Sequence, residues 1–82
     1  MTIQQMTSFE AVGRYQNITR AADELHIAQP TLSLAMQTLE QETGLNLLRH
    51  VGRGIVLTAD GQALYAEVAR MLKEVARFDS HV

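Results

Sequence analysis

Apolar residues recur at helical spacing in four segments of the chain, and this pattern predicts four helices. The apolar face of the first helix consists of Ile3, Met6, Phe9 and Val12, so this helix is expected over about residues 3–15. The segment ITRAADEL predicts a second, shorter helix, because its apolar residues share one face.

Residues that favour helix ends separate these segments. Asn17 precedes the second helix, and its side-chain oxygen can accept a backbone N–H of the first turn. Pro30 is compatible only with the first turn of a helix, so the third helix begins one or two residues before it. Gly44 is placed to adopt the left-handed conformation that ends this helix after about Glu42.

Two short apolar runs follow the third helix, and the glycine-containing segment HVGRG separates them. This pattern predicts a small β-hairpin.

The last segment is predicted to be a helix that Thr58 can cap, and its apolar residues follow alternating spacings of four and three. The residues of this heptad stripe are Leu64, Val68, Met71, Val75, Phe78 and Val82.

Two partners fit the heptad stripe. Its spacing is typical of helices that pack side by side in a coiled coil, which predicts a homodimer formed through the last helix. The alternative is packing on its own domain, because a chain of 82 residues has little apolar surface to spare. Leu72 lies beside the stripe and is included in the predicted dimer contact, although it can also face its own domain.

Composition restricts the classes of function. Seven Lys and Arg residues against nine Asp and Glu residues give a net charge of -2, which is unusual for a nucleic-acid-binding domain. The chain has no cysteine, and His26 and His81 lack partners at metal-ligand spacing, so neither a metal nor a cofactor is expected. No segment resembles a signal peptide or a membrane span, so a cytoplasmic chain without membrane contact is expected.

The third helix is predicted to have an outer face without charged side chains. Its core face is formed by Leu32, Ala35, Met36 and Leu39. A short helix followed by a tight turn and such a helix is typical of a helix-turn-helix. Amide and hydroxyl groups can bond base edges, and apolar groups can contact the thymine methyl. The alternative is that these side chains only hydrate the outside of a core helix.

Other function classes also have to be weighed. No glycine-rich phosphate loop follows a strand, and no serine has an activating His or acid at a suitable spacing, so an enzyme is not expected. A protein-interaction module is the stronger alternative, and the low net charge favours it. Arg49 and Arg53 in the hairpin favour DNA instead. Arg14 and Arg20 fit either phosphate contacts or surface ion pairs with nearby acids.

Residues spread over nearly the whole chain resemble the LysR-type transcriptional regulators. The matching segments are FEAVGRYQNITRAADELHIAQPTLSLAMQTLEQETG and RGIVLTADG. The resemblance implies a mainly α fold, with a winged helix-turn-helix of three helices and a small β-hairpin wing over residues 1–57. A long linker and dimerisation helix is implied over residues 58–82.

The resemblance also implies partners and contact residues. The implied partners are double-stranded promoter DNA and a second copy of the chain, joined through antiparallel linker helices, with a tetramer as an option at full length. A small-molecule effector would bind only a larger C-terminal part that this chain lacks. The expected DNA-binding residues are Gln29, Pro30, Thr31, Ser33, Leu34 and Gln37 for the major groove, and Arg49, His50 and Arg53 in the wing. The expected dimerisation residues are Leu64, Val68, Met71, Leu72, Val75 and Phe78.

Several positions depart from the family pattern. Ala28 stands where Ser or Thr is usual, and the loss of such an N-cap destabilises a helix by about 1 kcal/mol. Leu34 stands where Arg or Lys is common, which removes a phosphate contact. His50 stands where Arg is usual, and whether Arg49 can take its place depends on the register of the hairpin. Gly54 replaces a second common Arg of the wing.

Overall fold

Four helices and one antiparallel hairpin follow one another along residues 1–80, which are the residues that the structure, a computed structural model, describes. The helices are α1 (Ile3–Tyr15), α2 (Ile18–Leu25), α3 (Gln29–Thr43) and α4 (Ala59–Ser80). The strands are β1 (Leu48–Val51) and β2 (Gly54–Leu57). The predicted fold class, with three helices, a β-hairpin wing and a long last helix, is therefore confirmed. His81 and Val82 lie outside the described residues.

The helix ends depend on the residues that the sequence indicates. The Asn17 side chain accepts a hydrogen bond from the backbone N–H of Arg20 at 2.9 Å. Gly44 has a φ of 71°, which places it in the left-handed region. The Thr58 hydroxyl accepts from the N–H of Gly61 at 3.0 Å, which caps α4. Ala28 forms no side-chain cap, so α3 begins without the hydroxyl that is usual in the family.

The core lies where α1, α2 and α3 meet, and α4 and β2 close it on one side. Its largest fully buried side chains are Phe9, Val12, Leu32, Leu39, Leu47 and Val68. The predicted core face of α3 is confirmed, with Ala35 only partly buried. Because this face is used for packing, the opposite face of α3 is left to solvent.

Tyr65 attaches the first turns of α4 to α1. Its ring meets that of Phe9 edge to face, with the ring centroids 6.4 Å apart. Its hydroxyl donates to a carboxylate oxygen of Glu10 at 3.2 Å. Gly13 provides the space, since a Cβ there would lie 2.5 Å from Cδ2 of Tyr65. The start of the last helix therefore belongs to the same packed unit as the first three helices.

The heptad stripe is divided between two environments. Val68 has no exposed surface and packs in the core of its own domain. The prediction that Val68 contacts a partner chain is therefore wrong, because its side chain is fully covered from within. Three further residues are partly buried against the same core, namely Leu64, Met71 and Leu72. Val75 and Phe78 are 38% and 72% exposed, so the free apolar surface lies at the far end of α4.

Candidate nucleic-acid interface

Residues 26–28 connect α2 to α3 in a tight turn. The backbone of His26 adopts a left-handed conformation with a φ of 58°, which residues other than glycine rarely adopt. Its N–H donates to the carbonyl of Asp23 at 3.2 Å, and the N–H of Ile27 donates to that of Ala22 at 3.1 Å. These hydrogen bonds provide donors for the last carbonyl groups of α2 and direct the chain into α3. The two helices form the helix-turn-helix that the sequence predicts.

The outer face of α3 is exposed and carries no charged side chain before Glu40. Its exposed residues are Gln29, Pro30, Thr31, Leu34, Gln37 and Gln41, whereas Ser33 is partly buried. Leu34 is 63% exposed, which is high for a large apolar side chain. The face therefore presents amide, hydroxyl and alkyl groups to a partner, without a formal charge.

Thr19 fixes the first side chain of this face. Its hydroxyl donates to the Gln29 amide oxygen at 3.3 Å and thereby links α2 to the start of α3. The NH₂ group of Gln29 has no protein partner among residues 1–80, so it is available as a donor. Thr19 is not among the contact residues predicted from the sequence. The signal for it is its exposed hydroxyl in the first turn of α2, on the helix that precedes the tight turn.

Strand register decides which wing residues face α3. The pairs are Leu48 with Leu57, Arg49 with Val56, His50 with Ile55, and Val51 with Gly54. Directly paired residues share a face of an antiparallel sheet, and successive residues alternate between faces. Because Ile55 is buried, His50 lies on the inner face with it. Arg49 lies on the opposite face, so it does not occupy the place that His50 takes.

The inner face of the hairpin and the outer face of α3 border a common cleft. It has a volume of about 350 Å³, and Ser33, Gln37 and His50 are among its lining residues. Three of the predicted contact residues, from two separate elements, are thus brought together. Arg53 lies beyond them in the turn of the wing, directly after Gly52, whose φ is 59°.

Ion pairs remove some cations from this surface and leave others unpaired. The Arg14 guanidinium donates to Glu10 at 2.8 Å and also bonds Glu24. The hydrogen bonds to Glu24 and Glu10 raise the pKa of Arg14, and Arg14 in turn lowers the pKa of Glu24. Of the two readings left open for Arg14, the structure supports the ion pair.

Three arginines have no ion-pair partner among residues 1–80, namely Arg20, Arg49 and Arg53. Arg70 and Arg77 pair with Glu67 and Glu74 along α4, away from the wing. The net charge of -2 therefore conceals a local distribution, in which unpaired arginines lie on the wing and on α2.

Within the described part of the chain, no three His, Asp or Glu side chains are grouped closely enough to hold a metal ion. No helix described there has the length and apolar character that crossing a membrane requires.

Comparison with known proteins identifies this arrangement. Residues 3–62 match the family model of the bacterial regulatory helix-turn-helix proteins of the lysR family. The chain belongs to the LysR family. The RuBisCO operon transcriptional regulator of Allochromatium vinosum is 42% identical to it over 65 residues, which are 79% of this chain and 22% of that protein. The LysR chain spans about a quarter of the length of such relatives.

Solved structures of LysR-family proteins share the whole fold. The BenM DBD in complex with benA site 1 DNA superposes with a TM-score of 0.93 and 37% identity, covering 99% of this chain and 94% of that one. The CbnR DBD in its DNA complex gives a TM-score of 0.90 and 37% identity, covering 99% and 93%. The winged helix-turn-helix with its long last helix is thus a shared LysR architecture.

Proposed function

We propose that this chain is the DNA-binding domain of a LysR-type transcriptional regulator and that it binds double-stranded promoter DNA sequence-specifically. The observation that carries the proposal is the exposed, uncharged outer face of α3 beside a wing whose Arg53 lacks an ion-pair partner among residues 1–80. An α-helix fits the major groove, and an arginine on a neighbouring wing fits a narrow minor groove. The DNA complexes of the BenM and CbnR domains support the proposal.

The face of α3 supplies groups that suit base edges. Gln29 and Gln37 each carry an amide that can donate to and accept from adenine, and Ser33 and Thr31 offer hydroxyls. Gln29 and Ser33 are four residues apart and therefore lie on one edge of the helix. Pro30 is exposed next to Gln29 in the first turn of the helix. We assign base discrimination to this group.

The wing supplies contacts of a different kind. Arg53 at the turn is placed to enter the minor groove, where A/T-rich sequence narrows the groove and strengthens its negative potential. His50 lines the cleft beside α3 and is assigned to the same DNA strand as the helix contacts. Arg49 faces away from α3, so its role is a contact with a phosphate outside the groove. Arg20 is assigned a phosphate contact at α2.

A homodimer through α4 completes the proposal, and residues 58–82 serve as the linker and dimerisation helix. The exposed Val75 and Phe78 form the centre of the proposed contact, with the free edges of Leu64, Met71 and Leu72 beside them. A dimer binds two half-sites, which multiplies the affinity of each. Each copy has three arginines without an ion-pair partner in the described part of the chain, so few cations face the phosphates and the gain from a second half-site matters for binding.

The chain corresponds to only part of the length of its relatives. Because the chain spans about a quarter of the length of its relatives, we propose a further C-terminal part that binds a small-molecule effector. Its relatives are transcriptional regulators, and no catalytic role is proposed for this chain. A promoter-binding regulator of bacteria acts in the cytoplasm, which we propose as the location.

One observation favours a second candidate, a protein-interaction surface on α3. Leu34 is an apolar side chain in the middle of the outer face, and its 63% exposure would suit a protein partner. Within the DNA proposal the same side chain has a defined target, the 5-methyl group of thymine. The two candidates therefore differ in what Leu34 touches.

The first prediction separates base recognition from positioning. Gln29→Ala should lose about 1 to 3 kcal/mol of discrimination at one base pair in each half-site and keep its non-specific affinity. Arg53→Ala should weaken binding most where the flanking sequence is A/T-rich. Selection of sites from random DNA measures both. Gln41→Ala, an exposed glutamine at the far end of α3, is the control. An unaltered consensus with Gln29→Ala would show that this face does not contact bases.

The second prediction tests the target of Leu34. Replacing one thymine of a selected site by deoxyuridine removes only a methyl group, whose burial is worth about 0.8 kcal/mol, or about fourfold in Kd. The parent protein should lose this affinity at one thymine per half-site, and Leu34→Ala should be insensitive there. Ile3→Ala, which alters a similarly exposed side chain on α1, should behave like the parent. Equal sensitivity of Leu34→Ala and the parent at every thymine contradicts the assignment.

The third prediction concerns the dimer. Phe78→Asp should convert the chain to a monomer in sedimentation, because truncating a buried phenylalanine costs about 3 to 5 kcal/mol, which is more than a hundredfold in Kd, and the new carboxylate would also have to be desolvated. Ala66→Asp introduces the same charge on an exposed side of α4 and should leave the dimer intact. A Phe78→Asp variant that sediments as a dimer would place the contact elsewhere.

A further inference from the structure

Glu40 connects α3 to the root of the wing. One of its carboxylate oxygens accepts a hydrogen bond from the N–H of Leu47 at 2.8 Å and a longer one from the N–H of Leu48 at 3.4 Å. Leu47 is buried and precedes β1, and Leu48 is the first residue of that strand. A single side chain of α3 therefore satisfies the backbone at the point where the hairpin begins.

Other contacts hold the same root from other directions. The N–H of Thr58 donates to the carbonyl of Leu47 at 3.0 Å, which attaches the root to the start of α4. The N–H of Ile55 donates to the carbonyl of Gln16 at 3.3 Å, which attaches β2 to the end of α1. Among residues 1–80, Glu40 supplies the hydrogen bonds that join α3 itself to the hairpin.

This arrangement has a geometric consequence for DNA binding. Glu40 lies one turn after Met36 and Gln37, on the helix that is proposed to enter the major groove. The wing that it holds carries Arg53, which is proposed to enter the minor groove. A charged acceptor with two backbone donors restricts the angle between these elements more than apolar packing does, because hydrogen bonds are directional.

We propose that Glu40 is a positioning residue, which fixes the distance along DNA between the major-groove contacts of α3 and the minor-groove contact of Arg53. The inference rests on the proposed function and goes beyond it, because Glu40 is given a role without a DNA contact of its own, although it lines the same cleft as Ser33 and His50. A carboxylate near DNA repels phosphates, so its benefit has to come from the wing that it orients.

The test is a double-mutant cycle on a selected site with an A/T-rich flank. Glu40→Ala should weaken binding by about tenfold in the parent, the size expected for loss of a hydrogen bond to a charged group. In the Arg53→Ala background, Glu40→Ala should weaken binding less than in the parent, because the Arg53 contact is already gone and only the proposed contacts of Arg49 and His50 remain to be positioned. On a G/C-rich flank its effect should likewise be smaller than on an A/T-rich flank.

Two further variants separate positioning from charge and from folding. Glu42→Ala removes the same charge from the same helix without touching the wing root, and should keep the preference for A/T-rich flanks. Glu40→Gln retains an acceptor oxygen and should restore most of the affinity lost in Glu40→Ala. Glu40→Asp keeps the charge but shortens the side chain, so it should resemble Glu40→Ala.

An NMR readout on the DNA-free protein tests the contact independently of DNA. The amide protons of Leu47 and Leu48 should exchange faster in Glu40→Asp than in the parent, with those of α1 unchanged. If neither the parent nor any variant binds DNA, the proposed function is contradicted. The exchange rates of the Leu47 and Leu48 amides then still test the contact with Glu40. If Glu40→Ala weakens binding equally with and without Arg53, and equally on both flanks, Glu40 has no positioning role.

Discussion

The backbone of Leu47 is the point on which the arrangement of the molecule depends. Its side chain is buried in the core, its N–H is held by Glu40 of α3, and its carbonyl is held by the N–H of Thr58 before α4. The fit is close, because a Cβ on Gly61 would lie 2.1 Å from that carbonyl oxygen. A buried peptide group has to be bonded on both sides, so core, recognition helix, wing and linker helix meet here.

Local chemistry explains why the helices could be predicted. Asn17, Pro30, Gly44 and Thr58 act within one turn of their own positions, so the sequence alone indicates where helices begin and end. The hairpin could be predicted from its glycines, but its register could not. That register depends on which residue of β2 reaches the core, and only tertiary packing selects Ile55. The face occupied by Arg49 follows from it.

The heptad stripe shows the limit of a periodic pattern. Spacing alone assigns Val68 and Phe78 to one contact, yet the first is fully buried and the second is 72% exposed. The division arises because Tyr65 packs against Phe9 over Gly13, which brings one end of α4 onto the domain. A similar limit applies to charge. The net charge of -2 counts every charged residue alike, whereas Arg14 is held in ion pairs and Arg49 and Arg53 of the wing have no ion-pair partner among residues 1–80.

If α3 and the wing together form the DNA-binding surface, titration of the ¹⁵N-labelled chain with a duplex selected from random DNA should reveal it residue by residue, because every described backbone amide except that of proline gives its own signal. The largest changes in chemical shift are expected at residues 29–37 of α3 and at residues 50–54 of the wing. Changes confined to the end of α4 around Phe78, or spread over α1 with α3 unaffected, would contradict it.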